Sequence, residues 1–355
     1  MRVTSFVVYD RVKRSFQENW QRLYTSNEQL SSGKKINKPS DDIIGMARVL
    51  DYKLAINKND QYLRNIDDVQ AFLDFTEATF GSVTENLERM KELTLTAVTG
   101  TETAETRRII SKEVQVLKES FHDLANSKLR DRFVFSGYKT DKPAFDDLNT
   151  YQGDDNHIGV YANNYTTVDE NITGLDAFAY QQKDHEVIPF KSGEKYIHYI
   201  PGNLIDPDAP ANRVVVAVST SIDKETVLNE LKEGKLSTVE DTYSYDNFME
   251  MTQRLEDAMA NNDVSRMETL LAPVDRAIGQ VLDNRSEIGA RQASLSTEKN
   301  HNEDNSLGLK GVVSGTEDAD IAETTSAISK SEVALQALRQ SSSNVISQTL
   351  FDFLR

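Results

Sequence analysis

Residues 316–354 contain neither glycine nor proline and open with Glu317, Asp318 and Asp320, so they read as one long helix with carboxylates at its positive end. Every seventh position from Ile321 (Ile328, Leu335, Ser342, Thr349) falls on one line, with Thr324, Ser331, Leu338 and Val345 beside it. The period is that of a coiled-coil seam, but half of the seam is polar. An isolated helix gains little from such a stripe and its nucleation is unfavourable, so the segment needs another apolar face to cover it. The other end of the chain offers one, since Tyr9, Val12, Phe16, Asn19, Leu23, Ser26 and Leu30 alternate by three and four residues. Charge favours the same pairing. Residues 1–40 hold eight Lys/Arg against three Asp/Glu, and residues 312–355 hold three against six. Exposed ion pairs contribute only about 0–1 kcal/mol each and are screened by salt, so the apolar seam must supply most of the attraction.

Between these ends the helical period comes and goes. Residues 30–42 (LSSGKKINKPSDD) carry Gly33 and Pro39 to interrupt a helix and Ser40, Asp41 and Asp42 to cap a new one, so they read as a joint between two rods. From residue 61 to 98 the stripe resumes with Ile66, Val69, Leu73, Thr76, Phe80, Val83, Leu87, Met90, Thr94 and Ala97. A turn at 100–103 and a second stripe through Ile110, Val114, Leu117, Phe121 and Leu124 then predict an antiparallel helical pair. After FVFSG (133–137) the texture changes. Short β-prone runs separated by turn residues mark 141–245 as a mostly β insertion, with 19 acidic and 8 basic residues. Helical period returns from Tyr245 to Leu295, with Pro273 expected to bend one helix, and residues 300–315 read as a second joint. The expected fold class is mainly α with a β-rich insertion: a long antiparallel helical bundle with paired, coiled-coil terminal helices and an outward-facing β domain. Its parts are 1–40 with 312–355, then 41–140 with 246–311, then 141–245.

Chemistry is sparse. With no cysteine in 355 residues, disulfides, thiol catalysis and thiolate metal sites are excluded. A net charge of −17 argues against nucleic acid as a partner, and the apolar run at the N-terminus is too short for a secretory signal or a membrane span. Glu119/His122 and Glu298/His301 share the Glu-x-x-His spacing of di-iron carboxylate bundles. Their helical phase places them away from the apolar seams, so solvated polar faces are the better reading. Adjacent carboxylates such as Asp41/Asp42, Asp146/Asp147 and Asp154/Asp155 point apart in regular structure and read as turn and cap residues. YQGDDN (151–156) lacks the alternating oxygen ligands of a calcium loop and reads as a turn. No catalytic, cofactor-binding or metal-ligating residue is therefore expected, and no cofactor. The candidate functional residues are those of the seam: Tyr9, Val12, Phe16, Leu23, Leu30, Ile321, Ile328, Leu335, Leu338 and Val345. Trp20, beside that seam, can anchor either an internal helix or a neighbouring subunit.

Four stretches, LSSGKKINKPSDD, NLERMKELTLTAV (86–98), RSEIGAR (285–291) and EDADIAE (317–323), together resemble the flagellin superfamily. LANSKLRDRFVFSGYKTDKPAF (124–145) followed by YQGDDN resembles its hook-associated branch, whose members join hook to filament. The resemblance implies a structural, non-enzymatic protein of the bacterial flagellum, with terminal helices in an inner tube and the insertion facing outward. It also implies export through the flagellar type III apparatus without a cleaved signal, and a location outside the cell. The partners it implies are neighbouring copies in a ring, another hook-associated protein on the hook side, flagellin on the filament side and an export chaperone on the C-terminal helix. Other readings are a filament-forming flagellin, a secreted metal-binding or enzymatic bundle, and an adhesin acting through the acidic insertion.

Overall fold

The computed structural model describes the backbone of residues 2–353 apart from 101, 182–183, 191–193 and 211, and within that span the side chains of residues 7 and 9–342. The chain begins with α1 (Arg2–Ser32), α2 (Ile43–Val98) and α3 (Ala104–Ala125). Two short antiparallel pairs follow, β1 (Lys128–Leu129) with β2 (Arg132–Phe133) and β3 (Gly159–Tyr161) with β4 (Thr167–Asp169), then α4 (Gly174–Phe178). The rest of the insertion comprises β5 (Glu186–Phe190), β6 (Lys195–Pro201), α5 (Gly202–Ile205), β7 (Val214–Ser219), α6 (Lys224–Glu233) and β8 (Val239–Tyr245). Its strands form one antiparallel sheet in the order β5-β6-β7-β8. Helices α7 (Phe248–Ala260), α8 (Val264–Glu317) and α9 (Ile321–Phe353) complete the chain.

Two compact units divide these elements, Met1–Leu63 with Asn300–Arg355 and Arg64–Lys299, so that α2 and α8 each contribute to both. The larger unit has the core that the stripes foretell. Ile66, Val69, Leu73, Phe80, Val83, Leu87 and Met90 of α2 are buried with Val114 and Phe121 of α3, Phe248 and Leu255 of α7, and Val274, Val281 and Ile288 of α8. Phe178 of α4 plugs this core from the insertion, with Phe80, Phe121, Phe135 and Phe145 around it at ring separations of 4.9–6.0 Å. Each fully buried side chain of this kind contributes about 1.5–3 kcal/mol. Outside the core, α2 and α8 run antiparallel, and their register is marked by Lys91–Asp275, Glu77–Arg285 and Asp67–Lys299, each at 2.6 Å. These pairs are partly exposed and specify register more than they add stability.

Pro273 lies inside α8, and the helix continues through it. A proline cannot donate to the carbonyl four residues earlier, which is that of Thr269. The buried Tyr199 hydroxyl of β6 donates to that carbonyl instead, at 2.8 Å. The second expected joint is also helical, since α8 runs to Glu317 and only residues 318–320 separate it from α9. Gly308, Gly311 and Gly315, which suggested a break, have open space where a side chain would stand. Each weakens the helix by about 1 kcal/mol relative to alanine without obstructing it, while Asn302 and Ser306 hold the opposite face in the interior. The first helix of the central region likewise starts earlier than its apolar stripe, at Ile43, because Asp42 caps it.

Tyr199→Phe is expected to leave the Thr269 carbonyl buried without a partner and to destabilise the larger unit by about 1–3 kcal/mol. Urea denaturation would show this as a lower midpoint with an unchanged slope.

Candidate assembly surface

The joint after α1 is built by local hydrogen bonds. Gly33 takes a left-handed backbone (φ +72°), and the Asp41 carboxylate accepts from the Asn37 and Lys38 amides at 3.0 and 2.9 Å. Asp42 Oδ1 then accepts from the Ile44 and Gly45 amides at 3.1 and 2.9 Å, which starts α2. Gly45 has no room for a side chain, since a Cβ there would stand 2.7 Å from the Ile36 methyl.

Glu317, the last residue of α8, closes this joint. Its carboxylate is buried and receives the ammonium groups of Lys34 at 2.7 Å and Lys53 at 2.6 Å, while its carbonyl accepts from the Lys35 amide at 2.6 Å. Burial alone would raise its pKa. The two lysine hydrogen bonds and their charges outweigh burial and hold the carboxyl below its usual range. One further bond, Ala319 N–H to the Gly33 carbonyl at 2.9 Å, brings the end of α1 to the start of α9. The two helices pack against each other from that point and therefore run antiparallel.

The structure sorts the seam residues into two sets. Leu335 is buried at 4% exposure, together with the polar Ser26, Thr324 and Ser331, and Val12, Leu23, Ile328 and Leu338 are half-buried between the helices. Tyr9 (59%), Ile321 (67%), Phe16 and Leu30 are exposed, and Val345 lies outside the described side chains. Trp20 is exposed at 54% and stacks on Phe16 with ring centroids 6.4 Å apart. Tyr9, Phe16, Trp20 and Tyr24 stand 7, 4 and 4 residues apart on the same face, an exposed aromatic line beside the packed one. A second exposed line lies on α2, where Ile43, Leu50 and Leu54 recur at helical spacing. Sequence reasoning missed this line, although the 7- and 4-residue intervals could have shown it. It also missed the Glu317 clasp, because no pattern in one chain says which lysines a carboxylate will meet.

The interior of the terminal unit is unusual in composition. Among the described residues its buried side chains are the apolar Ile36, Val49 and Leu335 and the polar Ser26, Asn59, Asn302, Ser306, Glu317, Thr324 and Ser331. The Asn59 amide nitrogen and the Ser306 hydroxyl are buried without a hydrogen-bond partner. Each such group costs about 1–3 kcal/mol.

The paired histidine motifs do not gather. His122 Nε2 lies 3.1 Å from the Asp146 carbonyl, and Glu298 accepts from the Asn163 amide at 2.8 Å. Among the described residues no group of three or more histidine, aspartate or glutamate side chains is placed to hold a metal ion. The structure does bring FVFSG and YQGDDN together. The Tyr151 hydroxyl lies 3.0 Å from the Phe135 carbonyl, Asp154 Oδ1 accepts from the Tyr138 amide at 2.9 Å, and Gly137 (φ +66°) leaves room for the Asp154 carbonyl. Asp154 serves a turn, and Asp155 accepts from the Thr173 hydroxyl ahead of α4.

Residues 3–140 match the protein family described as the bacterial flagellin N-terminal helical region. That stretch is thus similar to a flagellin N-terminal region. Over its whole length it is similar to flagellar hook-associated protein 3 of Salmonella typhimurium, 23% identical over 363 residues that cover 100% of both chains. It is also similar to flagellin D of Vibrio cholerae, 24% identical over 348 residues covering 91% of this chain and 90% of that one. Among solved structures, the flagellar junction protein FlgL from Legionella pneumophila covers 78% of this chain and 100% of its own, with a TM-score of 0.51 at 18% identity, which is a likeness of fold. These homologues are structural proteins of the flagellum, not enzymes. Beyond residue 140 the inserted sheet is followed in the chain by the further helices α7, α8 and α9.

Glu317→Gln is expected to weaken the clasp by about 1–2 kcal/mol, since the lysines remain half-exposed and can return to water. Hydrogen exchange at the Lys35 and Ile36 amides would speed up accordingly. In the unaltered chain the clasp is complete above the ordinary glutamate pKa near 4.5 and is lost as pH falls through the lowered value.

Proposed function

We propose that this chain is a structural adaptor of the bacterial flagellum that joins the hook to the filament, and that its terminal helices order as copies assemble. The observation that carries the reading is the similarity to hook-associated protein 3, which covers 100% of both chains, the insertion included. The partly polar interior of the terminal unit supports the mechanism, because α1 and α9 leave Tyr9, Phe16, Trp20 and Ile321 exposed while they pack on each other. Large exposed apolar lines of this kind mark interaction surfaces. In this reading they contact neighbouring copies, and Trp20 is an intersubunit anchor. The contacts are heterologous and do not close axially, so a second hook-associated protein must bound the ring on the hook side and flagellin on the filament side.

The domain reading follows: residues 1–40 with 312–355 form the inner tube, 41–140 with 246–311 surround it, and 141–245 face outward. Export through the flagellar type III apparatus, with a chaperone covering the C-terminal helix, suits a helix whose seam is too polar to be stable alone. A second reading, a filament-forming flagellin, is favoured by the match of residues 3–140 and by flagellin D. The two separate on one observation, whether the purified chain extends into long filaments.

Leu335→Asp with Leu338→Asp is expected to leave the urea midpoint of the larger unit unchanged and to abolish incorporation into flagella. Normal incorporation of the double variant would contradict the terminal-helix mechanism. Deleting the gene should give bare hooks with flagellin shed into the medium, seen by electron microscopy and immunoblotting, whereas intact flagella would contradict the adaptor role.

A further inference from the structure

Two imidazoles touch inside the inserted sheet, far in sequence from the seam residues. His198 in the middle of β6 is fully buried, and His185, just before β5, is buried as well. His198 Nε2 lies 2.8 Å from the Ser221 carbonyl, which can only accept, so that nitrogen carries a proton. In a neutral ring Nδ1 is then an acceptor. It lies 3.0 Å from His185 Nε2, which must donate. The result is a chain of hydrogen bonds with one direction, from the start of β5, across β6, to the loop between β7 and α6. Lys224, at the start of α6, donates its ammonium to the His185 backbone carbonyl and ties the same elements a second time.

What this chain secures is a small separate core. Ile200, Ala217, Val227 and Val239 are buried together, with Leu228 and Leu231 of α6 packed over them. His198 shares its face of β6 with Ile200 and pairs across the sheet with Ala217, so the imidazoles adjoin that core.

We propose that the His185–His198 pair is an acid-sensitive latch, which holds α6 over this core while both rings are neutral and releases it when either ring gains a proton. A proton on His198 Nδ1 would face the His185 N–H directly and break the chain. A proton on His185 would instead set an imidazolium beside the Lys224 ammonium. The charged groups that bear on the pair are Lys224, which opposes protonation of both rings, and Asp223, which favours protonation of His198. On β5 and β7 the residues opposite His198 are Val187 and Ala217, neither of which titrates. Next to His185 in the chain, Asp184 and Glu186 are acidic, and Glu186 is engaged by Arg276. Burial, then His198 and Lys224, bring His185 down to about 4, and burial also lowers His198. Because the folded values lie below the unfolded one near 6.5, the latch is complete above that pH and is lost as pH falls from there toward 4.

The test is hydrogen exchange of the full chain followed by mass spectrometry, corrected for the intrinsic pH dependence of exchange. Peptides covering residues 220–233 should open more often at pH 5 than at pH 7, by on the order of 20-fold, while residues 64–98 do not change. In the His185→Gln/His198→Gln variant, whose side chains donate and accept but do not titrate, that difference should vanish. Unchanged protection in the unaltered chain, or an equal fall in the variant, would overturn the proposal. Exchange of the histidine C2 hydrogens in the unaltered chain gives the answer even if the variant misfolds. Midpoints below 6.5 for both rings are expected, and a midpoint at or above 6.5 for either one contradicts the latch.

Discussion

The terminal unit rests on one unusual contact, the packing of α1 against α9 through a surface with few apolar side chains. Leu335 is the one apolar residue of that contact buried among the described side chains, and Ser26, Thr324 and Ser331 occupy equivalent interior positions. A buried leucine contributes about 1.5–3 kcal/mol, whereas a buried hydroxyl contributes little beyond its own satisfied hydrogen bond. Thr324 meets that requirement locally by donating to the Asp320 carbonyl at 2.7 Å. The pair is thus specified in register but weakly held. Glu317 adds the missing precision, since its carboxylate holds Lys34 and Lys53 together while the Ala319 amide bonds the Gly33 carbonyl. Terminal helices held this weakly can separate and re-form at modest cost.

The larger unit follows the opposite rule. Its interior is aromatic and aliphatic, with Phe178 joining the inserted segment to the core of the long helices. Where that unit breaks a rule of helix chemistry, at Pro273, it supplies the missing donor from Tyr199. The insertion adds its own sheet and a small core of its own, and its Tyr199 also completes α8.

Much of this was legible in the sequence. Period alone placed α1, the apolar part of α2, α3 and α9, and the half-polar stripe already implied that the terminal helices would bury little. Residues 300–315 misled, because glycine count suggested a joint where the glycines merely face solvent. Tyr9 and Phe16 share the heptad spacing of the seam, yet they lie on its flank and are exposed. A stripe in sequence fixes a face to within about one residue's rotation, close to 100°, and the packed edge of that face is chosen by the partner helix. Lys53–Glu317 joins residues far apart in the chain and His185–His198 joins neighbouring segments of one sheet, and neither carries a local pattern.

Whether α1 and α9 hold each other without neighbours decides how the terminal unit works. Hydrogen exchange at residues 9–32 and 321–342, compared between the dilute chain and chains joined in an assembly, measures this directly. Near-intrinsic exchange in the dilute chain and strong protection after assembly would agree with a seam too polar to stand alone. Protection in the dilute chain equal to that of residues 64–98 would contradict it.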